Sequence, residues 1–480
     1  MRWHTLTTYI VSHFTHLNLS VASVTVPMNR RAFVHNAATS LAGGLLATRL
    51  PRHSMRMERP RPSAAQLEWQ RDELAMFLHF GVNTFTDREW GDGREDPAVF
   101  NPAHLDARQW AKTAREAGFR SMVLTAKHHD GFCLWPTLTT DHSVAKSPWR
   151  GGKGDVVREM VDACRTEGLR PGLYLSPWDR NNPAYGDSAR YNDLYCDQLS
   201  ELLTQYGRIA EVWFDGANGE GPNGKKQTYD WPRFFAVVKR HQPDSVIFSD
   251  AGPDVRWCGN EDGSGGDPNW STVDPAAVPY PGASGDGVIA ALQHGDPSGT
   301  VWRPAEVDTS IRPGWFHHSA DDAKVRSVDN LIDLYCSSVG RNAKLLLNVP
   351  PTRDGLLHAT DMDRLTGFRD RLNSMMDTGV TATASVTWRV TGDRSAEAVL
   401  DLGRPVPISL VRLAENIALG QSVARYALYS ADSGDWTALS RGTTIGYAKI
   451  DRFESRTTRR LRLVIEDAVA APEPVAITVS

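Results

Sequence analysis

The sequence predicts an α/β protein with a (β/α)8-like barrel followed by a C-terminal antiparallel β-sandwich. Its 480 residues exceed one ordinary domain, whereas α/β barrels reach ~250 residues or more. From about residue 65 to residue 375, short apolar runs alternate with amphipathic stretches, which is typical of parallel βαβ units. Past about residue 380, the helical period gives way to Thr/Val/Arg alternation between turns, which favours a small sandwich.

The predicted barrel elements follow one another as strand and helix. Apolar or β-branched runs predict strands over Met76–Val82, Ser121–Ala126, Gly172–Ser176, Ile209–Phe214, Val246–Asp250, Thr300–Val307 and Lys344–Val349. Helical periodicity predicts helices over Asp106–Ala117, Asp155–Glu167, Ala189–Tyr206, Trp231–His241 and Ser327–Val339. This length of alternating chain fits roughly eight βα units. The predicted catalytic barrel spans residues 61–378, and the predicted sandwich spans residues 379–480.

Residues 1–60 are expected to lie outside the fold. From Met28 the chain reads M-N-R-R-A-F-V-H-N-A-A-T-S-L-A-G-G-L-L-A, an arginine pair followed by a weakly apolar run. This pattern resembles a twin-arginine export signal, so residues 1–27 are interpreted as an upstream extension. A short amphipathic helix with two chance arginines is the alternative. The run is shorter than the ~18 residues of a spanning helix, so stable membrane insertion is not expected. The predicted location is therefore periplasmic or secreted.

The composition excludes several classes of protein. Hydrophobic residues make up 41% and charged residues 23% of the chain, which is typical of a globular protein. The formal net charge is only -4 and no Lys/Arg block is present, so nucleic acid is not an expected partner. The five cysteines stand singly, without C-x-x-C spacing, which argues against a disulfide framework or a zinc site. The sequence does not indicate an oligomeric state.

Polar residues follow most of the predicted barrel strands. They include His79 and Asn83, the run Lys127-His128-His129-Asp130, the pair Trp178-Asp179, then Asp215, Asp250 and Glu306. Functional side chains of α/β barrels gather at the carboxyl ends of the strands, because the loops there form one mouth. The sequence therefore predicts a site at this mouth.

Asp215 is the first candidate for a catalytic group. In E-V-W-F-D-G-A-N-G, residues 211–219, an apolar strand ends in this carboxylate between aromatic residues and glycine. A carboxylate in such surroundings is suited to attack an anomeric carbon. The structural alternative is an aspartate that caps the following turn.

The paired imidazoles of His128 and His129 are compatible with metal binding, base catalysis or hydrogen bonding to sugar hydroxyls. Adjacent residues of an extended backbone point to opposite sides, and the further ligands at regular spacing that a metal site needs are absent from this stretch. Hydroxyl binding is therefore favoured over metal, and no metal or cofactor is expected. His79, in His-Phe-Gly after an apolar strand, is either a third such ligand or a buried core histidine.

Two carboxylates compete for the role of general acid. Glu261 lies in the Gly-rich stretch R-W-C-G-N-E-D-G beside Trp257, where burial could raise its pKa as leaving-group protonation requires. Glu306, in W-R-P-A-E-V-D-T, is predicted to sit more rigidly at a strand end. A solvent-exposed loop glutamate is the alternative for Glu261. Trp315, in R-P-G-W-F-H-H, is a candidate platform for the apolar face of a sugar.

Taken together, these motifs resemble the glycoside hydrolase family 29 α-L-fucosidases over about residues 65–375. The motifs are H-F-G-V-N-T-F, K-H-H-D-G-F-C-L-W, S-P-W-D-R-N, E-V-W-F-D-G-A-N-G, R-W-C-G-N-E and R-P-G-W-F-H-H. The closing stretches G-Q-S-V and T-T-I-G-Y resemble the C-terminal domain of that family. One departure is His317, which stands where the family pattern has Tyr in W-F-Y-H.

The resemblance implies a retaining exo-α-L-fucosidase acting on a fucosylated oligosaccharide or glycoprotein glycan. It implies that Asp215 is the nucleophile and that Glu261 is the acid/base of the subgroup with the R-W-x-G-N-E loop. Resemblance to that subgroup also implies a preference for α1,3- and α1,4-linked fucose. The implied substrate ligands are His79, His128, His129, Trp178, Arg256 and Trp315.

Two other functions stay open from the sequence. One is a metal-dependent hydrolase built on His79, His128, His129 and Asp215, which a metal-content measurement would identify. The other is a carbohydrate-binding protein on an inactive barrel, which an assay for released fucose would identify.

Overall fold

The computed structural model describes residues 59–376, 384–432 and 434–480. The predicted export signal and nearly all of the predicted segment 1–60 lie outside the described residues, as does the predicted domain boundary at 378/379. Within the described part of the chain, no helix has the length and apolar character needed to cross a membrane.

Eight parallel strands form the barrel, in the order β5-β4-β3-β2-β1-β10-β9-β6. A parallel bridge between Phe248 and Val255 joins the two ends of this order. A further, two-stranded antiparallel sheet consists of β7 and β8. In chain order the strands are β1 Leu74–Leu78, β2 Ser121–Lys127, β3 Arg170–Leu175, β4 Glu211–Trp213, β5 Val246–Phe248, β6 Arg256–Trp257, β7 Thr272–Val273, β8 Val301–Trp302, β9 Ala305–Ser310 and β10 Ala343–Asn348.

Helices connect these strands on the outside of the barrel, as parallel strand order requires. Aspartates that precede several helices accept a hydrogen bond from the first turn, as Asp155 does from the Arg158 amide at 2.8 Å, and this fixes where a helix begins. The helices are α1 Ala64–Arg71, α2 Val82–Thr86, α3 Ala107–Glu116, α4 Val156–Glu167, α5 Ser188–Gln205, α6 Trp231–His241, α7 Asp286–His294, α8 Val328–Ser338 and α9 Ala359–Met375.

The C-terminal domain is an antiparallel six-stranded assembly in the order β11-β12-β15-β13-β14, with β16 paired to β12. Alternate residues of β12 and β15 are buried, among them Ala398, Leu400, Leu461 and Leu463, because successive side chains of a strand point to opposite faces. The strands are β11 Ser385–Gly392, β12 Ser395–Ala414, β13 Val423–Ala431, β14 Thr437–Gly442, β15 Lys449–Ala468 and β16 Ala476–Val479. The structure thus confirms the predicted barrel followed by a β-sandwich.

One predicted strand differs in a way that matters for the site. The predicted strand Thr300–Val307 is two strands, β8 and β9, which are interrupted at Arg303 and Pro304. Proline has no amide hydrogen to donate to a sheet, so it breaks the run. β9 therefore begins at Ala305 and continues to Ser310.

Candidate active site

The candidate site lies at the carboxyl ends of neighbouring barrel strands. His79 directly follows β1, the pair His128-His129 follows β2, and Asp215 follows β4 after one residue. Because β1 to β4 are parallel neighbours, these ends lie at the same rim. The structure therefore brings these predicted residues together.

Asp215 is held by hydrogen bonds to both carboxylate oxygens. The Tyr174 hydroxyl donates to Oδ2 at 3.0 Å, and the Ala217 amide donates to Oδ1 at 2.7 Å. The Nε2 atom of His129 lies 3.8 Å from Oδ2. The side chain of Asp215 keeps 26% exposure, so it is oriented by the protein but open to a ligand. Burial and the charge of Asp215 raise the pKa of Tyr174 well above its ordinary value, which keeps the phenol protonated as the donor.

The three histidines form one buried group. The ring centroids of His79 and His128 are 5.5 Å apart, and those of His128 and His129 are 4.1 Å apart. Burial lowers the pKa of His79 to about 3. Burial and the neighbouring imidazoles lower the pKa of His128, and burial lowers that of His129. All three rings are therefore neutral near pH 7.

The hydrogen bonds of His79 and His129 fix which ring nitrogen carries the proton. Asn348 donates through Nδ2 to the Trp315 carbonyl at 2.8 Å, so its Oδ1 accepts from Nδ1 of His79 at 2.9 Å. The Ser176 hydroxyl donates to the Trp178 carbonyl at 2.7 Å and accepts from Nδ1 of His129 at 2.8 Å. In both neutral rings Nε2 is then left as a hydrogen-bond acceptor, which suits a sugar hydroxyl.

Indole rings flank this histidine group. The Trp178 ring lies 4.9 Å from His129, and the Trp315 ring lies 5.0 Å from His79, measured between centroids. Trp90 lies 5.9 Å from Trp178 and is 59% exposed. Exposed aromatic faces next to neutral hydrogen-bonding groups are typical of a carbohydrate site, because a sugar ring has both apolar and hydroxyl surfaces.

Glu261 lies at the rim, in the segment between β6 and β7. Its surface is accessible to solvent, but nearby protein atoms desolvate its carboxyl group, and this, with the charges of Asp215 and Asp262, raises its pKa. A hydrogen bond from Trp315 acts in the opposite direction. Burial and the charge of Glu261 also raise the pKa of Asp308 well above its ordinary value. Glu261, Asp215 and Asp308 therefore lie within electrostatic reach of one another.

Glu306 is not at the rim, in contrast to the prediction. It is the second residue of β9 and has 0% exposure. Its Oε1 accepts from the Trp213 indole at 3.0 Å, and its Oε2 lies 4.0 Å from Nζ of Lys344. Since the strand begins only after Pro304, this residue lies near the amino end of the barrel strand, away from the mouth.

Arg256 is likewise not brought into the histidine group. Its buried guanidinium donates to the Leu292 carbonyl at 2.9 Å, to Oδ1 of Asn269 at 2.8 Å and to the Arg303 carbonyl. These acceptors use three of the five N–H donors of the guanidinium within the protein. This geometry argues against the prediction that Arg256 binds substrate: its side chain ties β6 to the segments that follow it. His317, the departure from the family pattern, is buried and bonds Asp322 at 3.1 Å.

Four residues of the site were missed by the sequence reasoning: Tyr174, Asn348, Asp308 and Glu89. Tyr174 could have been found, because it stands two positions before Ser176 and therefore on the same strand face. Glu89 accepts from the amides of Trp315 and Phe316 at 3.0 and 3.2 Å and so fixes the loop that carries Trp315. Only the fold reveals that contact, since the partners are more than two hundred positions apart.

The described residues contain no group of three His, Cys, Asp or Glu side chains arranged to share a metal ion. Of the three imidazoles in the metal hypothesis, those of His79 and His129 have their Nδ1 atoms bonded to Asn348 and Ser176.

Comparisons with known proteins show which family the chain resembles. Residues 56–374 match the family model described as alpha-L-fucosidase. The chain is 44% identical over 440 residues to putative alpha-L-fucosidase 1 of Oryza sativa subsp. japonica, covering 86% of this chain and 83% of that protein. A crystal structure of a putative alpha-L-fucosidase from Bacteroides ovatus is 45% identical, with a TM-score of 0.78 over 87% of this chain and 74% of that one. A Ruminococcus gnavus family 29 fucosidase in complex with fucose is 31% identical, with a TM-score of 0.78 over 88% and 94% of the two chains.

Proposed function

Because this chain belongs to the α-L-fucosidase family of glycoside hydrolases, we propose that it is a retaining exo-α-L-fucosidase that removes terminal fucose by double displacement. The observation that carries the proposal is the pairing of two carboxyl groups in different environments. Asp215 accepts hydrogen bonds on both oxygens, which orient it at the rim, whereas the pKa of Glu261 is raised by burial and by Asp215. When two carboxyl groups have such different surroundings, one can act as the nucleophile and the other as the general acid.

In the first step, Asp215 attacks the anomeric carbon while the bond to the leaving-group oxygen breaks. Glu261 gives its proton to that oxygen, so the departing sugar leaves as an alcohol. In the second step, Glu261 takes a proton from water, which attacks the same carbon and releases Asp215 as the carboxylate. We expect the two carboxyl groups to be about 5–5.5 Å apart when substrate is bound, because a covalent intermediate leaves no room for an interposed water.

The remaining site residues would bind fucose. The neutral imidazoles of His79, His128 and His129 offer acceptors and donors to its hydroxyls, and Trp178 and Trp315 offer apolar faces. The fucose complex of the Ruminococcus gnavus relative supports fucose as the sugar.

The stereochemistry of the first-formed product tests the mechanism. Proton NMR during the first turnovers should show α-fucose, because two inversions at one carbon give retention. β-Fucose as the first product would rule out double displacement and, with it, Asp215 as a nucleophile.

Azide tests which glutamate is the acid/base. In Glu261→Ala, formation of the fucosyl-enzyme from an activated fucoside should proceed, because a good leaving group does not need the proton. Azide should accelerate turnover and give α-fucosyl azide, because its attack on the covalent intermediate is the second inversion at the anomeric carbon. Glu306→Ala should show no such rescue, since that carboxyl is buried against Trp213 and Lys344. Rescue of Glu306→Ala but not of Glu261→Ala would exchange the two roles and leave Asp215 as the nucleophile.

We also propose that the enzyme prefers α1,3- and α1,4-linked fucose, a preference supported by the R-W-C-G-N-E stretch that ends in Glu261. Rates of fucose release from α1,2-, α1,3-, α1,4- and α1,6-fucosylated oligosaccharides test this directly. Faster release from α1,2- or α1,6-linked substrates would contradict it.

We also propose that the protein is exported. We propose separately that residues 61–378 form the catalytic domain and residues 379–480 the sandwich domain. The arginine pair Arg30-Arg31 before an apolar run supports a twin-arginine signal. Replacing both arginines by lysine should leave the enzyme in the cytoplasm of a host with a twin-arginine pathway. Unchanged export of this variant would contradict the proposal.

A further inference from the structure

The segment that carries Glu261 is held to the sandwich domain at its far end. This segment, residues 258–271, leaves β6 and enters β7, and we call it the acid/base loop. Near Glu261 it is braced by α8, where the Ser337 hydroxyl donates to the Gly263 carbonyl at 3.0 Å and the Gly265 amide donates to the Ser337 carbonyl at 2.8 Å. Beyond Gly265 its partners come from the sandwich as well as from the barrel, where the Asn342 side chain donates to the Asn269 carbonyl at 3.0 Å.

Gln421 of the sandwich pairs with the loop backbone as a strand would. Its Oε1 accepts from the Ser271 amide at 2.7 Å, and its Nε2 donates to the Asn269 carbonyl at 3.1 Å. The Asn269 amide in turn donates to the hydroxyl of Thr444 at 2.8 Å. Gln421 has 0% exposure, so water cannot replace these partners without opening the interface.

An ion pair anchors the same loop two residues earlier. Nζ of Lys449, at the start of β15, lies 2.8 Å from Oδ2 of Asp267, and the Thr443 hydroxyl donates to Oδ1. The Lys449 side chain is buried, at 6% exposure. A charged hydrogen bond in such a place is geometrically restrictive as well as stabilising.

We propose that the sandwich domain positions the general acid, with Gln421 and Lys449 as positioning residues that hold the acid/base loop so that Glu261 meets the leaving-group oxygen. The inference rests on the proposed role of Glu261. A general acid must lie within hydrogen-bond reach of the departing oxygen, and displacement of about 1 Å costs up to ~100-fold in rate. The sandwich thus acts on proton transfer without touching the sugar.

The test is the dependence of kcat/KM on the leaving group in Gln421→Ala and Lys449→Met. With a fucosylated oligosaccharide, whose leaving group needs the proton, kcat/KM should fall about 10-fold to 100-fold. With an activated aryl fucoside, which does not need the proton, it should stay within about twofold of the wild-type value. Lys449→Arg keeps the charge and should restore the wild-type ratio of the two values.

Thr458→Ala provides the matched control. Thr458 is buried in β15 and donates to the Ala431 carbonyl at 3.0 Å, entirely within the sandwich. Its loss should lower the melting temperature without changing the ratio of the two kcat/KM values. Lys449→Met keeps the proposal testable if Gln421→Ala does not fold.

The outcomes separate this inference from the proposed function. If Glu261→Ala shows the leaving-group dependence and both Gln421→Ala and Lys449→Met lose activity equally on the two substrates, the positioning role is wrong and the acid/base assignment stands. If Glu261→Ala itself shows no leaving-group dependence, the proposed function is wrong first. A ratio shifted equally by Thr458→Ala would also overturn the inference, because general loosening of the sandwich would then explain it.

Discussion

The chemistry of the site depends on histidines that stay uncharged. Burial lowers the pKa of each member of the group, to about 3 for His79, and two of the rings have their protonated nitrogen fixed by a neighbour. Two charged imidazoles would repel each other at centroid distances of 4.1 and 5.5 Å. Neutral rings with fixed tautomers instead present the same acceptor to every substrate molecule, which is preorganisation of a binding site.

We predict that His129→Ala weakens catalysis without unfolding the protein. Loss of a hydrogen bond to a substrate hydroxyl and of the contact with Asp215 should cost ~1.5–3 kcal/mol, or roughly 10-fold to 150-fold in kcat/KM. The melting temperature should change little. His104→Ala, at an exposed position before α3, serves as the control. Wild-type kinetics in His129→Ala would show that this residue does not bind the sugar.

A second prediction at this scale concerns pH. The general acid works only while protonated, so activity on an oligosaccharide should fall as pH rises through the pKa of Glu261. Because burial and Asp215 raise that pKa, the alkaline limb of kcat/KM should lie above the ordinary glutamate value of ~4.3. With an activated aryl fucoside, this decrease of kcat/KM at alkaline pH should be weak in the wild type and absent from Glu261→Gln. If Glu261→Gln still shows the decrease on both substrates, the titrating group is not Glu261.

Among the elements, β9 shows how one proline changes the assignment of a site. Read as a single strand, Thr300–Val307 would place Glu306 at the mouth. Because the strand begins after Pro304, Glu306 lies near its amino end and Asp308, two residues further on the same face, approaches Glu261 instead. The buried carboxyl of Glu306 then has a structural partner in the Trp213 indole.

Element β6 has only two residues, and we predict that Arg256 stabilises it. Arg256→Met should lower the free energy of unfolding by ~2–4 kcal/mol, because it leaves the carbonyls of Leu292 and Arg303 and Oδ1 of Asn269 without this donor. KM for a short fucoside should stay near the wild-type value, since the guanidinium does not reach the histidine group. Denaturant unfolding and initial-rate kinetics measure both. A large rise in KM with unchanged stability would restore Arg256 as a sugar ligand.

For the whole molecule, the sequence predicted those features that depend on local pattern. Strands buried on both faces, such as β2 and β10, read as largely apolar runs, and the predicted starts of α3 and α4 are correct to within a residue. It could not predict β6, whose two residues have no period, or α7, where Gly287 weakens the helical signal. The role of Arg256 and the contacts of Gln421 depend on partners distant in sequence, which no local pattern records.

The barrel and the sandwich also meet through contacts that do not include residues of the acid/base loop. Glu73, just before β1, pairs with Arg412 of β12, and the Tyr335 hydroxyl of α8 donates to Oε2 of Glu73 at 2.6 Å. Tyr447 donates to the Ala343 carbonyl at the start of β10 at 2.7 Å. These contacts involve the amino ends of strands, opposite the mouth, so they are expected to serve stability and not catalysis.

The last prediction separates these two interfaces. Arg412→Ala removes the partner of Glu73 Oε1 and leaves only the Tyr335 hydroxyl, which bonds Oε2. It should lower the free energy of unfolding by ~1–3 kcal/mol. The cost is smaller than for a fully buried pair, because both side chains are about a quarter exposed. Arg425→Ala removes an arginine that is 64% exposed and 3.9 Å from Asp467, so its cost should stay below ~1 kcal/mol. Calorimetry gives both values.

The ratio of kcat/KM on oligosaccharide and on activated fucoside should stay at the wild-type value in Arg412→Ala, because the acid/base loop keeps its contacts with Gln421 and Lys449. A changed ratio would mean that any loosening between the two domains reaches Glu261, and that the loop contacts have no special part in placing the proton.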